Sequence, residues 1–294
     1  MTVHDKKLGE RIRELRTRLG ITQKELAGDR ITRNMLSLIE SGNASPSVST
    51  LIYIAERLGT SAGYFFTSTE ADEGRYFKLS VIDELKKLFR EKDYHECESI
   101  CETIPTSAWD DELSYIAASS YLHTALENAD RFDIVSASRD LSKAKLHASG
   151  SIYADDGFLN ALDFYSELFR TVCSDVISER LCDEHMCNAL VPIALIRYFR
   201  SLSAARNGVP LNDTFRQEQL LYTRHIEATA MLFGGQAEEA SKLFRELSLV
   251  PELPYYMTYR VLCGLEASAN GIGDFRLAYS ASRRKLELID RCKA

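Results

Sequence analysis

No run of about 18 consecutive apolar residues occurs in this 294-residue chain, so no segment has the makeup of a membrane-crossing helix. The opening, MTVHDKKLGERIREL, is charged and lacks the apolar centre of a secretory leader, and a cytosolic protein is expected. There is no glycine-rich phosphate loop, no HExxH and no GxSxG, so nothing in the sequence proposes catalysis or a cofactor. The seven cysteines are odd in number and scattered, which suits free thiols in a reducing compartment; no disulfide is expected. Two groups, Cys182, His185, Cys187 and His95, Cys97, Cys101, lie close in sequence but lack the knuckle spacing and fourth ligand of a zinc site, and no metal is expected. Cys97 and Cys101, at i and i+4, are better read as sharing a buried helix face.

What is present is an ordinary globular composition, 45% hydrophobic and 27% charged, with its charge segregated. Residues 1–67 carry ten Lys and Arg against seven Asp and Glu, a balance of +3. The remainder carries 26 against 36, a balance of −10. A basic head on an acidic body suits nucleic-acid contact at the head alone, because phosphates respond to local positive charge and not to the total of −7.

Within the head, Leu8, Ile12, Leu15 and Leu19 recur at helical spacing, with arginines around them and Gly20 as a stop. Thr22 with Glu25 three residues on forms a capping-box pattern that opens a short helix, Gln23 to Ala27, ended by Gly28. Thr32 caps a further helix, Arg33 to Glu40, closed by Ser41-Gly42. After the polar turn Asn43 to Pro46, the residues Val48, Leu51, Ile52, Ile54, Ala55 and Leu58 give a fourth helix. Ser61 to Phe66 supplies a fifth, whose Tyr64-Phe65-Phe66 cluster is expected to close the core. Two short capped helices joined by a tight turn make a helix-turn-helix signature.

The stretch TQKELAGDRITRNMLSLIESGNASPSVSTLIYIAERLGTSAGYFF resembles the lambda-repressor-like helix-turn-helix family, the Cro or xenobiotic-response-element class. Its turn between the second and third helices is one residue shorter than the commonest family pattern. The resemblance implies double-stranded DNA as partner, with Arg33, Asn34, Ser37 and Leu38 facing base edges. Arg suits guanine O6 and N7, Asn suits adenine N6 and N7, and Leu packs on a thymine methyl. It further implies backbone contacts from Thr22, Gln23, Thr32, Asn43 and Ser45, and an internal ion pair between Arg16 and Glu40. Met35, Leu36 and Ile39 are assigned to the core. The plainer readings stand beside these: Arg33 and Asn34 as solvated first-turn residues, Leu38 as a core leucine.

Residues 68–74, polar and acidic, read as a linker, which makes residues 1–67 one domain and 75–294 another. The body has few prolines and almost no strict alternation, so an all-α chain is expected throughout, with amphipathic segments such as Val81 to Phe89 and Leu113 to Leu126. The segments EKDYHECESICETI, ADRFDIVSASRDLSKA, GGQAEEASKLFRELSL and GIGDFRLAYSASRRKLEL align as repeats. Tyr94 to Phe132 and Ala237 to Phe275 are both 38 residues apart, with an irregular pair around Ser151 to Arg206 between. The pattern looks like a tetratricopeptide-type solenoid, best matched at Leu221 to Pro254, where Ala237, Ala240 and Phe244 serve as tight helix contacts.

Such a head on about five repeats resembles the Rgg and PlcR group of peptide-pheromone receptors. That resemblance implies a homodimer on a pseudo-palindromic operator, with a short peptide or small-molecule effector in the concave groove. The residues it points to are Asn160, Asn188, Arg197 and Arg224 as backbone grips, with Tyr198 or Phe164 as an apolar wall; for each, ordinary exposed helix surface is the plainer and favoured reading. The alternative is an adaptor or antitoxin-like protein whose repeats bind a partner protein.

Overall fold

The computed structural model describes residues 3–66, 70–209, 215 and 219–292. Every regular element among them is helical, and no strand occurs among the described residues. The chain divides by internal packing into two units, Met1–Leu113 and Ser114–Ala294.

The first unit opens with α1 (Val3–Arg18), α2 (Gln23–Ala27), α3 (Arg33–Glu40) and α4 (Val48–Arg57), followed by a 3-10 turn, Ala62–Phe66. Local chemistry sets these limits. The Thr22 hydroxyl accepts from Glu25 N while the Glu25 carboxylate accepts from Thr22 N, so the capping box is formed in full. Thr32 and Ser47 cap α3 and α4 in the same way through Met35 N and Thr50 N. Leu8, Ile12, Leu26, Leu36, Ile39, Leu51, Ile54, Leu58 and Phe65 form the core. Of the aromatic cluster only Phe65 enters it fully; Tyr64 is half-buried and Phe66 is 64% exposed, because a 3-10 turn of five residues can aim one ring inward. Met35 is also a correction: it is 45% exposed, since the buried stripe of α3 begins at Leu36 and the first turn stands clear of the core.

The same unit continues through α5 (Glu70–Glu91), α6 (Tyr94–Thr103) and a 3-10 turn, Thr106–Ala108. Thus α5 starts inside the stretch read as a linker, of which 68 and 69 lie outside the described residues. The ring of Tyr76 lies directly on Gly63, and the α5 backbone at Gly74 presses on Ser107, so α5 belongs with the packing of the first unit.

The second unit takes in α7 (Asp111–Asp130) from Ser114 onward, α8 (Ile134–Ala148), α9 (Asp156–Arg170), α10 (Ile193–Arg206), α11 (Leu220–Phe233), α12 (Ala237–Leu247), α13 (Tyr255–Gly271) and α14 (Phe275–Arg291). Two short 3-10 turns, Glu179–Cys182 and Glu184–Met186, interrupt the path from α9 to α10, which is the irregular pair expected there. The repeat is written in its turns. Lys92, Phe132, Gly235 and Gly273 all adopt positive φ, and each is followed by the residue that starts the next helix: Asp93, Asp133, Gln236 and Asp274. The three aspartates cap their helices through the third backbone N–H. This register corrects one alignment: the equivalent of Tyr94 is Ile134, the first residue of α8, and not Phe132, which occupies the turn.

The small residues act as expected at Ala240 and Phe244, both buried, and Ala237 lies against Gly271. A Cβ on Gly264 would stand 2.2 Å from the Phe244 ring, so α13 approaches α12 as closely as a glycine permits. Gly264→Ala is expected to cost about 1–3 kcal/mol through overpacking, despite alanine's better helix propensity. A thermal melt of the variant reads this directly: a lower midpoint is expected, and a raised one would mean Phe244 moves aside freely.

The cysteines are free, with Cys97 and Cys101 both buried on α6. One proximity was invisible in the sequence: Cys173 and Cys292, 119 residues apart, place their sulfurs 2.9 Å from each other. The hydrogen bond from Cys173 holds the Cys292 thiol below its usual pKa and raises that of Cys173. Cys292 is therefore the expected attacking thiolate toward oxidised glutathione, with Cys173 displacing the bound glutathione to close an intramolecular disulfide. Peptide mapping after such treatment should find the Cys173–Cys292 pair and its loss on reduction. Mixed disulfides at other cysteines only would contradict it.

Candidate nucleic-acid interface

α3 presents two faces. Leu36 and Ile39 enter the core, while Arg33, Asn34, Ser37 and Leu38, at i, i+1, i+4 and i+5, form one exposed strip. Leu38 is 46% exposed, which decides against a core role for it. The first turn of α3 has no acidic residue, so its free N–H groups and Arg33 are not countered by a local carboxylate.

The strip is held at a fixed angle by contacts beneath it. Arg16 reaches from α1 and grips Glu40 with Nε to Oε1 at 2.6 Å and a second bond at 3.1 Å, while donating to Ile21 O in the α1–α2 turn. This bond to Glu40 raises the Arg16 pKa. The Glu40 side chain is only 2% exposed, so the pair is a buried, bidentate one. Gln23 joins it, its amide donating to Glu40 at 2.8 Å.

A second set of contacts ties α2 to α4. Tyr53 donates to Ala27 O at 3.1 Å and Arg57 to Glu25 O at 2.6 Å, so orphan carbonyls at the end of α2 are satisfied from α4. Arg30 and Arg57 both lie over the Tyr53 ring. Gly28, at φ +53 with the Tyr53 hydroxyl 2.3 Å from where a Cβ would be, lets the short turn pass this point. Neither Tyr53 nor Arg57 was singled out from sequence, because their roles depend on a helix packed 26 and 32 residues away.

Several residues assigned to DNA backbone contact have local duties. The Thr22 hydroxyl both accepts from Glu25 N and donates to the Glu25 carboxylate, lowering that carboxyl's pKa, which leaves it no proton for a phosphate. Gln23 has one amide hydrogen committed to Glu40. Thr32 accepts from Met35 N and keeps its own hydroxyl hydrogen. Asn43 donates to Ser41 Oγ at 2.9 Å, and Ser45 is exposed. The structure adds Lys24: with Arg16, Thr22, Gln23 and Arg33 it lines an open notch beside the first turn of α3. Lys24 is exposed and carries the positive charge that a phosphate there requires.

Residues 9–70 match the family described as a helix-turn-helix domain. The match spans 62 of the 294 residues and runs from within α1 through α4. No curated protein matches the chain. A solved structure, Bacillus thuringiensis PlcR in complex with the peptide PapR7 and DNA, is similar at 16% identity over 97% of this chain and 96% of that one, with a TM-score of 0.22.

In the second unit, the structure does not assemble the expected effector residues into a groove. Phe164 and Tyr198 are fully buried and cannot wall an open site. Tyr198 bonds to His225 Nδ1 at 2.7 Å and stacks on Tyr222. Burial holds His225 neutral, with its pKa lowered to about 3. Asn188 spends its side chain on the 186–191 loop, donating to Met186 O and Gly157 O and accepting from Leu190 N and Val191 N. Arg224 faces Glu246 at 3.5 Å, Arg197 is exposed, and Asn160 is half-buried. The aromatics Phe169, Tyr198, Phe199, Tyr222, Tyr255 and Tyr256 pack on one another. A cavity among the described residues of this unit lies elsewhere, lined by the end of α7, the α12–α13 turn, α13 and α14. Among the described residues no group of three or more His, Cys, Asp and Glu is placed to hold a metal ion, and no helix is long and apolar enough to cross a membrane.

Proposed function

We propose that the chain is a sequence-specific DNA-binding transcriptional regulator that docks α3 in the major groove. The observation that carries this reading is the exposed strip Arg33, Asn34, Ser37 and Leu38 on the second helix of a matched helix-turn-helix, held rigid from below by the Arg16–Glu40–Gln23 network. Arg33 and Asn34 read purine edges; Ser37 and Leu38 extend the contact along the groove. Lys24, Thr32, Asn43 and Ser45 serve the phosphates, while Thr22 and Gln23 act mainly by holding the fold. The protein works as a homodimer on two half-sites, and the helical-repeat unit carries the response to an effector. It performs no catalysis of its own.

Selection of random duplex DNA on the purified full chain tests this. A two-half-site sequence is expected, bound with an affinity that falls as a power of salt concentration. Enrichment of no sequence, together with a protein partner retained in pull-downs, would put the adaptor reading in its place.

A further inference from the structure

The cavity of the second unit has a volume of about 740 Å³, within the usual range for small-molecule sites. Its walls carry charges of both signs: Arg131, Arg284 and Arg291 against Asp130 and Glu252. None of these five is ion-paired with another. Arg284 donates to Ser248 O and Arg291 to Arg131 O while lying over the Phe132 ring, and among the described residues the Arg131 guanidinium is in no ion pair. Arg284 and Arg291, seven residues apart, fall on one face of α14 and point to the same space, and a smaller hollow of about 150 Å³ continues between them over Leu288. Unpaired arginines are ordinary on a convex surface. Gathered round a concave one, they hold further N–H groups in fork geometry that no carboxylate of the cavity wall occupies.

We propose that this cavity binds a small monocarboxylate whose apolar part lies on the Val261, Leu262 and Leu288 side of the cavity. In the main cavity three cations against two carboxylates leave a charge of +1 to neutralise, and Glu287, which lines the smaller hollow, is balanced by its pairing with Arg283 at 3.2 Å, so one negative charge suits the site. A dianion such as a phosphate monoester would be set against Asp130 and Glu252 at close range. Burial and Glu127 already raise the Asp130 pKa, in keeping with a wall that tolerates little added negative charge. The carboxylate can belong to a free organic acid or to the C-terminus of a short peptide, and the experiment separates these.

Calorimetric titration of the full chain would use 4-phenylbutyrate, phenyl phosphate and 4-phenylbutylamine, then an N-acetylated tetrapeptide with a free C-terminus and its C-terminal amide. The acid should bind, with the phosphate ester and the amine weaker by about tenfold or more. Arg131→Gln and Arg291→Gln should each weaken the acid by about tenfold, whereas Arg276→Gln, an exposed site on α14 outside the cavity, should not. Melting curves of the variants separate loss of the site from loss of the fold. Binding of the free-ended tetrapeptide over its amide identifies a peptide source; preference for 4-phenylbutyrate over both identifies a free acid. The proposal is overturned if neither carboxylate binds, if the amine binds as well as the acid, or if stably folded Arg131→Gln and Arg291→Gln titrate like wild type. The readout is ligand binding alone, so it stands or fails separately from DNA recognition.

Discussion

Arg16→Ala is expected to unfold the helix-turn-helix head. The substitution leaves Glu40, whose side chain is 2% exposed, with a buried charge and only the Gln23 amide as partner. Removing one member of such a pair costs about 3–5 kcal/mol, comparable with the whole stability of a small domain. Arg16 also holds Ile21 O, so the α1–α2 turn loses its anchor at the same time. Hydrogen exchange localises the outcome: amides of α1 to α4 should lose protection while those of α11 to α14 keep theirs. The paired replacement Arg16→Met with Glu40→Leu should recover much of the loss, because an apolar pair of similar volume has no charge to desolvate. A single variant as stable as wild type would mean that water reaches Glu40 and the pair is a surface feature.

Arg33→Ala carries the second large effect, and it falls on recognition. A bidentate arginine–guanine contact discriminates by about 1–3 kcal/mol, roughly fivefold to a hundredfold in affinity. Arg33 is exposed and makes no contact that supports the core, so the variant should melt like wild type. The expected signature is selective: tight sites lose affinity, and preference relaxes at one base pair per half-site. Lys24→Ala is the contrasting control, expected to weaken all sequences alike and to reduce the salt slope by about one. If Arg33→Ala weakens every duplex equally, Arg33 touches phosphate and base reading rests on Asn34, Ser37 and Leu38.

The head was legible because its signals are local. Thr22 with Glu25, Thr32 and Ser41-Gly42 each act within four residues, and the helices they bound, α2 and α3, lie where the sequence placed them. The Arg16–Glu40 pair came from family resemblance and is present. What escaped depends on packing at a distance: the reach of Tyr53 and Arg57 to the end of α2, and the exposure of Met35 and Phe66. In the body, small residues and an aromatic or Leu at recurring offsets make the repeat visible, but aromatics alone align Phe132 two residues away from its equivalent, and the capping aspartates set the register. The apolar wall expected of Phe164 or Tyr198 is closed to solvent for a physical reason. Residues chosen as inner-face walls, Phe164 and Tyr198, are large aromatics, and burying them on one another stabilises the unit more than lining an open channel. The cavity that is present is built from two separate turns and the faces of α13 and α14, a juxtaposition that no single stretch of sequence encodes.

Whether α3 reads DNA sequence is tested most directly by a competition at physiological salt. The selected operator and a shuffled duplex of the same length and composition would compete for the full chain. The account predicts a preference for the operator of about a thousandfold or more, the usual gap between specific and non-specific binding. A ratio near one, from a protein with an intact head, would contradict it.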